Sequence, residues 1–286
     1  MEALNKSLDT YIDRVQTLPP APVILPRLLH QLSLPDADSE SIVNLISSDP
    51  SLTAAVLRLC NSATLGYSSS VSDLFEAVIR VGFGAVYELV VAIIGARTLK
   101  ATPKGYGIDE GGLWKHSVAT ALAAKSMARD AGADEGVVFT AAILHDIGKI
   151  VLAQALEGSY QRLTREIEIN QASLLESEAQ ILGVQHAEIG GRLLARWNFP
   201  ADLVASVWNH HDPVKAIGHE RLASFVYLGD LIAHFMGFGY GHHALALRGR
   251  ADALQLVGLN PVDLPRYMIE TYDNLDTLQA FVSIQT

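Results

Sequence analysis

The sequence predicts an all-α fold, a multi-helix bundle with an N-terminal helical lobe. Three observations lead to it. No run of alternating apolar and polar residues is bounded by Gly and Pro as a strand would be. Apolar residues recur at three- and four-residue spacing along most of the chain. Ser, Asp and Gly stand where helices start and stop. Taken in order, Ser39-Glu40-Ser41-Ile42 opens a short apolar helix that ends at Asp49-Pro50. Ser51-Leu52 starts another, with Leu52, Val56 and Leu59 on one stripe. Ser72 is placed to cap Leu74 to Val81; Gly82 and Gly84 punctuate, and a longer helix runs from about Ala85 to Leu99. Ala101-Thr102-Pro103-Lys104-Gly105-Tyr106-Gly107 is the best internal boundary, because Pro and Gly both disfavour continuing a helix. Beyond it, Leu113 to Ala131 is Ala-rich and helical, and Gly132 stops it. Asp134 caps a helix carrying Val138, Ala141, Ala142, Leu144 and Ile150. Further helices are expected near 158–170, 173–182, 186–197, 201–211 and 219–236. After turns at Gly237, Gly239 and Gly241, two more are expected near 250–257 and 262–275.

Composition narrows the function classes. At 286 residues the chain is long enough for about two domains or one large one. With 49% hydrophobic and 18% charged residues it can fill a core, which argues against global disorder. Lys and Arg number 21 against 31 Asp and Glu, a net charge of −10. That balance disfavours DNA or RNA binding, which releases counterions from a basic face, and adhesion to an anionic membrane. A single cysteine, Cys60, excludes an internal disulfide and a multi-cysteine zinc site. It sits in an apolar stripe and is expected to be a buried thiol. The start, Met1 to Lys6, lacks the apolar core of a signal peptide, and the most apolar stretch, Ala85 to Ala96, is too short to span a bilayer. A cytoplasmic protein with no nucleic-acid or membrane partner is the expectation.

Ten histidines are the unusual feature. His145-Asp146-Ile147-Gly148-Lys149 falls where one apolar helix meets the next. Adjacent His and Asp offer a neutral nitrogen and an anionic oxygen, a pair that suits Fe, Mn, Zn, Ni or Co better than Mg or Ca. Lys149, three residues past Asp146, would share its side of a continued helix and offer a cation to a phosphate oxygen. Alone, the pair reads more readily as a capped helix end with a satisfied histidine. It is joined by His116 on the preceding helix, His186 at the start of a later one and His210-His211 at the end of another. Asp230 lies in a largely apolar helix, where a carboxylate is seldom buried unless paired or bound to metal. Five His and two Asp thus come from separate helical segments, and helical bundles build one- or two-metal sites in this way. The alternative is scattered surface histidines plus one core ion pair.

The order His, His-Asp, His, His-His, Asp resembles the HD superfamily of metal-dependent phosphohydrolases, in layout the divisions with two or more metals such as the HD-GYP phosphodiesterases. Leu18-Pro19-Pro20-Ala21-Pro22, Asp49-Pro50-Ser51-Leu52, Leu59-Cys60-Asn61-Ser62-Ala63, Ala77-Val78-Ile79-Arg80-Val81-Gly82 and Trp197-Asn198-Phe199-Pro200 resemble, in order, hallmarks of the HDOD domain. That resemblance implies an HDOD domain over 10–240, with an N-terminal helical lobe at 18–100 and an HD-like metal-binding bundle at 108–240, followed by a C-terminal helical extension at 241–286. It implies His116, His145, Asp146 and Asp230 as the four-ligand set and His186, His210 and His211 as the additional ligands of the dinuclear type. Lys149 matches the phosphate-contacting lysine, which with Asp146 would serve a catalytic role. Asp109 and Glu110 are candidates for a further bridging carboxylate. One or two divalent transition metals (Fe, Mn, Zn or Ni) are the implied cofactors. HDOD proteins are mostly bacterial signalling modules, so the implied partner is a kinase, response regulator or diguanylate cyclase, with a nucleotide as a further ligand. HDOD domains often lose HD ligands, whereas this chain keeps the set. After His210-His211 the acidic, Gly-rich stretch ending Gly-Tyr-Pro is absent; the chain reads Asp212-Pro213-Val214-Lys215-Ala216-Ile217-Gly218. A regulatory module is therefore expected ahead of a metal-dependent phosphohydrolase on a nucleotide or cyclic dinucleotide. His234, one turn after Asp230, is read as solvated ahead of orienting that carboxylate. Asn61 is read as a helix cap, and Trp114 and Trp208 as core packing.

Overall fold

The computed structural model describes residues 8–13, 24–32, 38–62, 70–99, 106, 108–155, 173–238 and 250–283. Among them there is no strand, and the all-α expectation is met. The expected helix near 158–170, the Gly239 and Gly241 turns and most of the 101–107 boundary lie outside the described residues.

Carboxylate caps start the N-terminal helices. The order is α1 (Ile24–Leu32), α2 (Ser39–Ser47), α3 (Pro50–Cys60), α4 (Leu74–Val81) and α5 (Phe83–Leu99). Asp38 caps α2 by accepting the N–H groups of Glu40 and Ser41, both at 3.1 Å. Asp49 caps α3 at Ser51 N–H, 2.9 Å, and Pro50 occupies the first turn, where a missing N–H costs nothing. α4 is capped by Asp73 through Glu76 N–H at 2.8 Å rather than by Ser72. Asn61 ends α3 and holds the returning chain, with its amide donating to Val71 O and accepting from Val71 N–H, both 2.7 Å. α5 is buried along nearly its whole length, from Val86 to Leu99, because it is shared. One side packs on α1, α3 and α4, the other on the bundle behind it. Cys60 is buried, as expected.

The bundle comprises α6 (Gly112–Asp130), α7 (Glu135–Leu144), α8 (Gly148–Ala155), α9 (Leu174–Leu182), α10 (His186–Arg196), α11 (Ala201–Trp208) and α12 (Glu220–Phe235). α6 is its axis, packed against α5, α7 and α12. It approaches α12 closely at Gly229, where a Cβ would overlap the Thr120 carbonyl. The α8–α10 crossing is equally tight, since a Cβ at Gly148 would overlap the His186 carbonyl. Glycine at 148 therefore brings the His145-Asp146 turn against the start of α10. The apolar stretch Glu135–Ala153 has the composition of a bilayer span, but 89% of it is buried inside the bundle, so it is core. α11 stops at Trp208, short of the expected residue 211, and 209–211 form a turn. Trp114 is buried, and the β-carbon and ring of Trp208 pack over Gly191.

The first and last described segments pack on the bundle. Tyr11 O–H donates to Leu182 O at 2.7 Å, and Asp9 pairs with Arg192 at 2.7 Å, so residues 8–13 pack on α9 and α10. The two helices expected near 250–257 and 262–275 are present as α13 (Ala251–Val257) and α14 (Leu264–Ser283). Tyr267 of α14 is fully buried and donates to Asp130 at 3.0 Å, and Arg129 pairs with Glu270 at 2.8 Å. These contacts fasten α14 to the end of α6.

Candidate metal centre

Five segments converge on one buried point. His116 comes from the first turns of α6 and Asp230 from the middle of α12. His145 and Asp146 occupy the turn between α7 and α8, tightened by Ile147 N–H to Leu144 O at 3.1 Å and Lys149 N–H to Asp146 O at 3.0 Å. His186 is the first residue of α10, and His210 and His211 lie in the turn after α11. All seven residues named from the sequence are thus brought together.

Asp146 stands in the middle. Its Oδ2 lies 3.4 Å from His145 Nε2 and 3.7 Å from His116 Nε2. On that side Asp230 Oδ1 is 3.0 Å from His116 Nε2 and 3.8 Å from His145 Nε2. The other oxygen, Oδ1, is 3.2 Å from His186 Nε2 and 3.8 Å from His210 Nε2, and His186 Nε2 is 2.9 Å from His211 Nε2. The cluster has two halves, one of His116, His145 and Asp230 and one of His186, His210 and His211, with one Asp146 oxygen directed at each. Three-residue groups drawn from both halves have candidate ligand atoms within 4.8 Å of one another.

The donors fit a transition-metal ion. Two ligand atoms at about 2.1 Å from one ion sit roughly 3.0–3.4 Å apart, and the shortest separations, 3.0 Å in the first half and 2.9 Å in the second, lie at or just below that range. The imidazoles are pre-set: His145 Nδ1–H donates to Ala142 O and His210 Nδ1–H to Val207 O, both at 2.7 Å. Each then presents its Nε2 lone pair to the cluster. His210 Nε2 is buried with no hydrogen-bond partner among the described residues, a position whose desolvation a bound cation would offset.

Electrostatics keep most donors in ligand form. Burial lowers His116 to about 4, against its hydrogen bond to Asp230. Burial, then the nearby His145 and His186, lowers His210 to about 3, and burial with His210 beside it lowers His211 as well. Burial opposes ionisation of Asp146 and Asp230, yet Lys149 holds Asp146, and His116 and His234 hold Asp230, well below the usual carboxylate range. His145 and His186 rise despite burial, through Asp146 and Glu178 respectively. Lys149 is itself buried and donates to Asp146 Oδ2 at 2.6 Å.

Asp109 and Glu110 are exposed in the turn leading into α6 and are not among the buried groups that come together in the cluster. The additional buried carboxylate is Glu178 of α9, which accepts His186 Nδ1–H at 2.9 Å. No spacing from the histidines marks it; an acid on the inner face of α9 was the one available signal. His234, expected to be solvated, instead places Nε2 3.3 Å from Asp230 Oδ1 with its ring 4.8 Å from that of His116.

A helical bundle around buried His and Asp clusters defines a protein of the HD type. The HDOD domain model matches residues 18–213, and the chain belongs to that family. A functionally uncharacterized protein of Treponema pallidum is 29% identical over 231 residues, covering 78% of this chain and 44% of its own. A protein named ribonuclease Y from Acholeplasma laidlawii is 26% identical over 136 residues, covering 48% of this chain and 20% of its own. The chain therefore spans less than half the length of these curated relatives. Among solved structures, an HDOD domain protein from Geobacter sulfurreducens superposes with a TM-score of 0.71 at 21% identity, covering 100% of this chain and 99% of that one. A Marinobacter aquaeolei protein, named as a candidate signal transduction protein, gives a TM-score of 0.75 at 24% identity, covering 99% of this chain and 66% of that one. At these identities the structures speak to fold.

Proposed function

We propose that this chain is a regulatory HDOD module whose seven converging residues hold divalent transition metals, and that it acts by binding a signalling partner or a small ligand. The carrying observation is Asp146, with one carboxylate oxygen directed into each half of the cluster. His116, His145, Asp146 and Asp230 would hold one ion and Asp146, His186, His210 and His211 a second. The mixed nitrogen and oxygen donors favour Fe, Mn, Zn or Ni over Mg or Ca. Bound there, such ions would supply Lewis acidity toward a phosphoryl oxygen.

The chain's own residues limit what reaches that point. His211, 19% exposed, and His234, 11% exposed, form the accessible edge, while the other ligand side chains are at most 3% exposed. Lys149 is turned inward onto Asp146. A centre accessible only at that narrow edge suits sensing an anionic ligand such as a nucleotide phosphate better than rapid turnover. The lobe at 18–100 is the surface we assign to a kinase, response regulator or diguanylate cyclase partner. Phe75 and Ile79 of α4 are about half exposed there. The division into 10–240 and a 241–286 extension, and a cytoplasmic location, complete the reading.

A phosphohydrolase is the second reading, favoured by the two-half geometry and by the ribonuclease Y relatives, whose name denotes phosphodiester cleavage. Elemental analysis and a phosphodiesterase assay on the same untagged protein separate the two. Bound transition metal with absent or slow turnover of cyclic dinucleotides and simple phosphodiesters is expected. Robust turnover, lost in Asp146→Ala with the fold intact, would replace the regulatory reading with the enzyme. Protein purified without any transition metal, under conditions that retain labile ions, would overturn both.

A further inference from the structure

One buried carboxylate beside the centre is not among its ligands. Glu178 is fully buried and accepts three kinds of hydrogen bond. Tyr106 O–H donates to Oε1 at 2.7 Å, the His186 backbone N–H to Oε2 at 2.9 Å, and His186 Nδ1–H lies 2.9 Å from either oxygen. A carboxylate withdrawn from water persists when such partners match it. Helix capping does not account for the imidazole contact, because Glu188 already reaches back to the Gln185 N–H at 2.8 Å. The contact fixes His186 instead: Nδ1 carries the proton, and the Nε2 lone pair is aimed at the point between Asp146 Oδ1 and His211 Nε2. His145 and His210 are oriented by neutral carbonyls, so among these three only His186 leans on an anion. An anionic acceptor raises the basicity of the ligating nitrogen more than a carbonyl does.

We infer that Tyr106 and Glu178 are a positioning pair that sets the metal affinity of the half-site formed by Asp146, His186, His210 and His211, and thereby whether the centre carries one ion or two. This rests on the metal-centre reading above. Tyr106 lies in sequence between the lobe and the bundle, and its hydroxyl reaches the half-site through Glu178.

The test is a titration of metal-free protein with Co²⁺ against a competing chelator, following the visible spectrum. Wild type, Glu178→Gln and Tyr106→Phe are compared, each checked for fold by circular dichroism. Wild type is expected to take two equivalents. Glu178→Gln should keep the first at unchanged affinity and weaken the second about 10–100-fold. Tyr106→Phe, nearly isosteric and chosen in case the first variant misfolds, should weaken the second by less than about tenfold, in the same half only. Wild type that binds no metal removes the centre itself. Wild type that binds two equivalents, with both held at unchanged affinity by the folded variants, overturns the positioning pair and leaves the centre standing. Equal weakening of both equivalents also overturns it, since that is what general loosening of the fold produces.

Discussion

Asp146 carries two burdens at once. It faces four histidine nitrogens within 3.8 Å and holds the Lys149 ammonium at 2.6 Å, all out of contact with water. Removing one partner of a buried pair costs about 3–5 kcal/mol, because the remaining charge has lost its compensation. Asp146→Ala is therefore expected to destabilise the chelated protein by about that amount, read from urea unfolding. Asp146→Ala with Lys149→Met should recover most of the loss without restoring metal. If the double variant is no more stable than the single, the cost lies in packing rather than charge. At this scale the sequence was readable wherever the chemistry was local or repeated. The His-Asp pair, the His-His pair and Asp230 stand out because each is improbable in an apolar helix without a partner. Glu178 does not stand out, since its eight-residue separation from His186 spans a turn between two helices. Its burial is created only when α9 folds back to meet Tyr106. Asp109 and Glu110 show the converse: nearness in sequence to His116 does not bury a side chain, and both are exposed in the turn before α6.

The helix starts that the sequence predicts from Ser39 to Leu74 fall within a residue of those observed, although α1 (Ile24–Leu32) is not among the expected helices, and the cap misassignments at α2, α3 and α4 have one cause. Ser39, Ser51 and Ser72 are the openings that the sequence predicts, yet Asp38, Asp49 and Asp73 supply the side-chain oxygens. A neighbouring Ser and Asp are equally good caps by type, and which one serves depends on where the chain leaves extended conformation. Asp49 does more than cap: Arg97 of α5 donates to it at 2.7 Å, tying the lobe to the shared helix. Burial opposes its ionisation, but Arg97, Ser51 and the cap N–H groups outweigh that and lower Asp49 from 3.8 to about 2. A folded-state value below the unfolded one means that ionised Asp49 stabilises the fold above the unfolded value. The contribution then disappears as the pH falls through the folded one. Asp49→Ala is expected to cost about 1 kcal/mol near neutral pH. The difference from wild type should shrink as the pH falls from about 4 toward 2. A gap that stays constant in denaturant midpoints across that range would assign Asp49 a role that does not depend on charge.

The whole molecule brings its polar groups to one point and surrounds them with a continuous core. α6, the α7–α8 turn, α10, the turn after α11, and α12 each deliver one or two groups, and each is otherwise held by apolar packing. Asp146, Asp230 and Glu178 are buried there, with Lys149 as the one lysine or arginine among the buried polar residues described. Divalent ions would balance that charge, so metal binding should stabilise the native state and not merely decorate it. Ligand at a hundred times its dissociation constant adds about 2.7 kcal/mol. With an unfolding entropy of about 2 cal/mol/K per residue, a chain of this length should lose roughly 4–5 °C in Tm for each ion that chelation removes. Where that stability resides tests how the molecule is divided. If the bundle owns the centre and the lobe is a separate responsive surface, chelation should speed amide exchange in α10, α12 and the turns holding His145 and His210. α2, α3 and α4, which supply no ligand, should exchange as before. Equal loss of protection in α2–α4 would mean that α5 couples lobe and bundle into one cooperative unit, and the lobe would then be scaffold for the centre rather than an independent docking surface.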